Sequence, residues 1–454
     1  MINSIDKVPQ CPALIKSYIG ATLGLGLEQI VQKGVGFFDI DNEESFSDIL
    51  YLCRHHKEMV ASLISSYPLL SAVCPDIPVS FNSLGTILSP VVLSAMNGER
   101  ELPNIVVSRE RAFSDWLQQV APYRRRFFPR RVNWSNEPGE DAGGLSRDWI
   151  TRVADIVSSP TTCDPAGGLF QLDDRTREYL VFSLTKTAAA VEGQLWTEWK
   201  HEYYQFGRFL AIVLMKREQL GIPLPVFFFS KLLYGMIRPA DLRSIDTERS
   251  QVLRKLIEHV QANNFSQDAP FEIEFPELPG EELKLTKDNV KEEITKVLDA
   301  IYMPGRANEA MDEIRRGLSE IISIEGIRNK LTPFMFRNYV VGDESLDVDE
   351  LKKLAARRLE QIEAPRISDK VFDMLFQWLT SNPKLHRQFM IFTTGSSSLR
   401  PRQLLITGPD STSQGRVPKA HTCFNWLALP EYADYAELNG MLSEAIFHTQ
   451  MGMN

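Results

Sequence analysis

This sequence is poor in the residues from which covalent and metal-bound frameworks are built. Five cysteines (Cys11, Cys53, Cys74, Cys163 and Cys423) are spread over 454 residues, with seven histidines beside them. An odd, widely spaced set of cysteines does not make the disulfide framework of a small secreted domain. No Cys-x-x-Cys or His-x-x-x-His pair offers metal-ligand spacing. There is no phosphate loop of the Gly-x-x-x-x-Gly-Lys type, and Gly24-Leu25-Gly26 and Gly34-Val35-Gly36 stop short of the dinucleotide pattern. Neither metal nor cofactor is expected. Long apolar runs are lacking too. The longest clean one, Phe209 to Met215, is far too short to span a bilayer. Asp6 and Lys7 fall where a signal peptide needs its apolar core. Positive charge is in deficit: the net charge of −9 argues against a nucleic-acid binder. The one basic cluster, Tyr123 to Arg131, is short and interleaved with aromatics, which suits an amphipathic segment whose arginines stay in water. These absences lead to the expectation of an intracellular, reducing setting, cytoplasmic or nuclear, with no nucleic-acid and no membrane partner.

What is present is the composition of a globular protein. Apolar residues make up 43% of the chain and charged residues 24%, enough to build real cores. The length suits about two to four domains. Leu14 to Val31 and Phe46 to Leu70 carry apolar residues at helical spacing, the second run ending at Tyr67-Pro68. Residues 1–105 therefore read as a helical extension in need of a partner surface. Arg111 to Arg126 reads as a helix and Val132 to Ser135 as a short strand. After Tyr339-Val340-Val341, the polar, glycine-led stretch Gly342-Asp343-Glu344-Ser345 reads as a linker. Beyond it, Lys370 to Leu379 is an amphipathic helix, Leu404 to Thr407 a strand and Tyr435 to Ile446 a closing helix.

The densest chemical signal lies in that last part, in Val417-Pro418-Lys419-Ala420-His421-Thr422-Cys423-Phe424-Asn425-Trp426-Leu427-Ala428-Leu429-Pro430-Glu431-Tyr432. Cys423 is the only cysteine after Cys163 and sits between polar residues and an aromatic-aliphatic run. A lone cysteine is more often a small core residue. A solitary cysteine with a neighbouring histidine is a nucleophile candidate. In an extended segment the His421 ring would lie on the thiol's side, supporting the thiolate or merely bonding the loop. Thr422 has the same two options, donating to a reacting oxygen or satisfying backbone.

The segment resembles the active-site stretch of the HECT-type ubiquitin ligases, Leu-Pro-x-(Ala/Ser)-His-Thr-Cys-Phe-Asn-x-Leu-x-Leu-Pro-x-Tyr, with Val417 in place of the first leucine. Asp141-Ala142-Gly143-Gly144-Leu145-Ser146-Arg147-Asp148 resembles the family's entry motif. Gly168-Leu169-Phe170, Tyr204 to Leu210, Leu285 to Asn289, Arg315 to Leu318 and Phe389 to Gly395 follow in the family's order. The resemblance covers roughly the last 350 residues. It implies an α+β, bilobal fold: an α-rich N-lobe over 106–341, with a conjugating-enzyme-docking sub-lobe at about 235–305, a hinge at 342–345, and a small C-lobe over 346–454.

The resemblance also implies that Cys423 takes ubiquitin from a ubiquitin-conjugating enzyme as a thioester and passes it to a lysine of a protein substrate, with His421 and Thr422 in support. Two departures stand out. The family's phenylalanine four residues before the C-terminus is Met451 here, and Glu293 and Val297 stand where relatives often place aromatics. Both point toward a second reading, a catalytically weakened scaffold that binds ubiquitin or the conjugating enzyme. A cysteine hydrolase is a remote third, since no other histidine stands in a recognisable protease setting.

Overall fold

The computed structural model describes residues 81–96, 104–120, 131–137, 141, 143–174, 179–243, 245–276, 278, 280–342, 345–357, 365–409 and 416–450. The helices expected over Leu14–Val31 and Phe46–Leu70, most of the basic cluster, Asp343, Glu344 and Met451 lie outside the described residues.

Two apolar cores organise the described residues. The first runs from Leu84 to Val341 and the second from Leu346 to Ile446. Its first helix, α1 (Phe81–Met96), gives Leu84, Leu88 and Val92 to the first core, so residues before 105 share the core of those that follow. Strands β1 (Ile105–Val107) and β2 (Val132–Trp134) pair in parallel around α2 (Ala112–Val120). The expected continuation of that helix to Arg126 lies outside the described residues, which stop at Val120 and resume at Arg131. Next come α3 (Gly144–Ser158) and the antiparallel pair β3 (Phe170–Leu172) and β4 (Leu180–Phe182). Helix α4 (Gly193–Met215) is amphipathic at its start and buried from Gln205 to Leu214. The clean apolar run is therefore a core helix packed on all sides, and no described helix is long and apolar enough to cross a membrane.

After α5 (Val226–Tyr234) comes a peripheral unit. It holds α6 (Thr247–Ala262), a hairpin of β5 (Phe271–Glu274) and β6 (Glu282–Leu285), and α7 (Val290–Tyr302). Thr286 and Asn289 close the turn that leads into α7 by a reciprocal exchange: Thr286 N donates to Asn289 Oδ1 (2.7 Å) and Asn289 N to Thr286 Oγ1 (3.2 Å). This gives the Leu285–Asn289 motif a structural reason. Val297 is buried in this helix and Glu293 is paired with Lys296. Val297 is therefore not presented on a docking face, which removes half of that departure as a reason for the scaffold reading.

Helices α8 (Ala307–Ser319), α9 (Ile324–Arg328) and α10 (Pro333–Val341) complete the first core. The second is built on α11 (Val348–Leu354), α12 (Asp369–Ser381), α13 (His386–Thr394) and α14 (Tyr435–Gln450). They pack on a three-stranded sheet in the order β7 (Leu405–Thr407), β9 (Trp426–Ala428), β8 (Lys419–His421). Ser368 caps α12 by accepting from Val371 N, and Val371, Leu375, Trp378 and Leu379 form its buried stripe.

Candidate active site

The cysteine segment is not extended. Strand β8 ends at His421, and Thr422–Phe424 form a single 3-10 turn. Asn425 then takes the left-handed conformation, φ 48° and ψ 47°, which swings the chain into β9. Asparagine tolerates that region far better than bulkier residues. Its carbonyl accepts from Leu405 N at 2.9 Å, tying the turn to β7. The turn breaks the two-residue alternation on which a shared side for His421 and Cys423 rested. The His421 ring instead lies flat on Trp426, its partner across the β8–β9 pair, with centroids 4.3 Å apart. Trp426 is itself anchored by donating Nε1–H to Thr407 Oγ1 at 2.9 Å. Thr422 serves the turn through its carbonyl, which accepts from Asn425 N at 3.3 Å. Cys423 is half-buried and unbridged, and the neighbouring Phe424 ring is 66% exposed.

The wall facing this turn comes from the first core. Asp141 builds the entrance to α3. Its two carboxylate oxygens accept from Val132 N, Gly143 N, Ser146 N and Ser146 Oγ at 2.5–3.2 Å. Burial works to raise this carboxyl, and the bonds from Ser146, Val132 and Gly143 outweigh it and hold it below the usual range. Gly144 then opens the helix directly under the cysteine. A Cβ placed on it would lie 2.7 Å from Cys423 N, 2.8 Å from its Sγ and 2.9 Å from its Cα. Only a residue without a side chain allows this approach.

One turn on, Arg147 reaches across. Its Nε donates to Thr394 O (2.8 Å), and one terminal nitrogen donates to Thr422 O (2.5 Å) and Asn425 Oδ1 (3.0 Å). Burial is the main influence on this guanidinium and lowers its pKa, with Glu218 pulling in the opposite sense.

A polar seam continues the contact. Residues Thr394 to Ser398 and Arg402 are buried although polar, and each finds partners across the seam or close by. Arg402 forms a two-pronged pair with Glu218 (2.5 and 3.3 Å), Ser397 Oγ donates to Leu220 O (3.1 Å) and Ser398 Oγ to Gln219 Oε1. Thr151 Oγ1 accepts from Ser397 N (3.1 Å) and donates to Gly395 O (3.3 Å). Such a seam, bonded rather than greasy, resembles contacts between domains that separate and rejoin.

A half-exposed thiol on a rigid turn, walled by a helix start, suits a nucleophile that forms a covalent adduct with a bulky acyl donor. The HECT-domain (ubiquitin-transferase) family model matches residues 156–454, well over half of the chain. The chain belongs to the HECT family. A probable E3 ubiquitin-protein ligase, mug30, of Schizosaccharomyces pombe is 24% identical over 401 residues, covering 79% of this chain and 47% of its own. The E3 ubiquitin-protein ligase pub1 of the same yeast is 24% identical over 373 residues, 76% of this chain and 45% of its own. The E3 ubiquitin-protein ligase HUWE1 of Mus musculus is 24% identical over 363 residues, 75% of this chain and 8% of its own. The chain thus spans less than half the length of these HECT relatives.

Of the three residues singled out in sequence, the structure puts Cys423 and the Thr422 carbonyl against α3 and turns His421 to a packing contact. It adds Gly144, Arg147 and Asn425, which sequence reasoning did not assign. Two of these stand in the entry motif and one directly follows Cys423-Phe424, so the motifs were the available signal.

Proposed function

We propose that this HECT-family chain is the catalytic part of a ubiquitin-protein ligase. Cys423 takes ubiquitin from a conjugating enzyme as a thioester and delivers it to a lysine of a protein substrate. The observation that carries this reading is the half-exposed Cys423 thiol on its 3-10 turn, the one described cysteine held inside a built wall. Cys163, the other described cysteine, is simply exposed on the surface. Exchange between two thioesters is nearly neutral in free energy, so the protein's task is proximity and orientation. Thr422 assists through its carbonyl, and His421 by fixing the end of β8. The proposed setting is a reducing compartment, cytoplasmic or nuclear, where a thiol stays free.

The test is a charging assay: the chain is incubated with ubiquitin-loaded conjugating enzymes and resolved with and without reductant. A reductant-sensitive ubiquitin adduct on Cys423, discharged onto lysine, supports the ligase. Binding of ubiquitin or the conjugating enzyme with no adduct would favour the scaffold reading instead.

The two cores support a division into an N-lobe over 106–341 and a C-lobe over 346–454, pivoting at 342–345. Gly342 has φ 97° and lies against Gln219. Replacing Asp343 and Glu344 by prolines, which hold φ near about −65°, is expected to slow both charging and discharge while the chain stays folded by circular dichroism. Unchanged single-turnover rates would place the pivot elsewhere.

A further inference from the structure

The described hydrogen bonds between the two cores fall, on the side of the first, on Arg147, Thr151 and the turn Glu218–Gly221. None of them falls on the unit of α6, β5, β6 and α7, where the family resemblance places the conjugating enzyme. The thiol in this arrangement stands at the start of α3 instead. An arrangement whose bonds leave out the unit expected to dock the donor suits a step that follows loading better than loading itself. Within it, Arg147 holds the cysteine turn by both ends. It bonds the carbonyl of Thr422, which precedes the thiol, and the side chain of Asn425, which turns the chain out into β9. Its third bond, to Thr394 O, falls at the C-terminal end of α13, where a cation is favoured by the helix dipole. Two of its three acceptors are backbone carbonyls. The clamp therefore reads the shape of the turn more than its sequence.

Resting on the proposed thioester at Cys423, we propose that Arg147 is a positioning residue for discharge. By clamping Thr422 O and Asn425 Oδ1, it holds the charged Cys423 turn against Gly144 while the acceptor lysine attacks. In that step the neutral ε-amine adds to the thioester carbonyl. A C–N bond forms, the C–S bond breaks, the electron pair leaves on Sγ, and the proton lost by nitrogen passes to the thiolate or to water. Arg147 touches neither amine nor carbonyl. Its part is to fix the sulfur's direction of departure, and a guanidinium serves three acceptors at once where a lysine ammonium is a point charge. Asn425 is its counterpart.

The experiment is a pulse-chase on the full chain. Charging from a loaded conjugating enzyme and discharge of pre-charged protein onto free lysine are timed separately for wild type, Arg147→Ala, Arg147→Lys, Asn425→Gly, Asn425→Asp and the Arg147→Ala/Asn425→Gly pair. Expected are charging rates within about 3-fold of wild type, discharge at least ~10-fold slower in Arg147→Ala, and partial recovery in Arg147→Lys, the scale on which misplaced reacting groups act. The loss should lie in the rate at saturating lysine and not in the lysine concentration needed. Asn425→Gly keeps the left-handed backbone and loses the acceptor, so it should match Arg147→Ala, with the pair no slower than either single. Asn425→Asp, which keeps an acceptor, should discharge faster than Asn425→Gly. Wild-type discharge in Arg147→Ala, equal losses in charging and discharge with a lowered melting temperature, or faster charging would each overturn the clamp. Absence of any adduct on wild-type Cys423 would overturn the nucleophile reading, and the clamp with it.

Discussion

Cys423→Ala is expected to abolish the reductant-sensitive ubiquitin adduct completely while leaving the chain folded. The reasons are chemical and local. Only a thiolate exchanges rapidly with a thioester, and the other described cysteine, Cys163, is an exposed surface residue outside the seam. The truncation removes one sulfur from a half-buried turn held by backbone and Asn425 contacts. Its cost to stability should stay at about 1 kcal/mol or less. Cys423→Ser should trap ubiquitin as an oxyester, formed slowly because an alcohol is the poorer nucleophile, and resistant to thiol reductants. Mass spectrometry of the trapped adduct locates the attachment. Attachment at Cys11, Cys53, Cys74 or Cys163 in the wild type would sink the assignment.

The largest effect on folding is expected where α4 and α8 cross. Among the described residues they share the most extensive helix–helix contact. Gly207 faces the Ile314 carbonyl and Gly317 faces the Tyr204 carbonyl so tightly that a Cβ on either would lie well inside van der Waals contact with backbone oxygen. Helix propensity alone predicts that Gly317→Ala stabilises by about 1 kcal/mol. The geometry reverses the sign. A methyl group has no flexible neighbour to displace, so the helices must separate along a core that includes Phe206, Phe209 and Ile314. Overpacking of this kind costs about 3 kcal/mol. Gly317→Ala and Gly207→Ala should each lower the denaturant midpoint with little change in the slope of the transition, and the pair should leave little folded protein. A midpoint at or above wild type would show that the helices part without cost.

Arg316 and Gly317, and Gly207 with Arg208, were visible in sequence only as motif fragments in the family's order. Their reason is steric, and it exists only once residues about a hundred positions apart are brought together. The same holds for Gly143-Gly144, visible in sequence only as part of the entry motif. The second of the pair turns out to make room for a cysteine on another core.

Much of the molecule was legible beforehand because it depends on local pattern. The apolar stripe of Val371, Leu375 and Trp378 marks α12 within a residue or two of its ends. The glycine-led break at Gly342 falls between the two cores. The motif around Cys423, through its resemblance to the HECT active-site stretch, singled out that residue as the candidate nucleophile.

What the sequence by itself determined is therefore chemical identity and local periodicity: one cysteine in a specific neighbourhood, a family, and the helices whose apolar faces repeat every turn. Tertiary structure alone decided which groups meet. Ser397, Ser398 and Arg402 have the composition of a solvated loop, yet they are buried because Glu218, Gln219, Leu220 and Thr151 supply their hydrogen bonds. His421, two residues from the thiol along the chain, is drawn to Trp426 by strand pairing. Arg147, more than 270 positions from the cysteine turn, is drawn to it. The physical reason is that hydrogen bonds and close packing act over a few ångströms of space and carry no memory of separation along the chain.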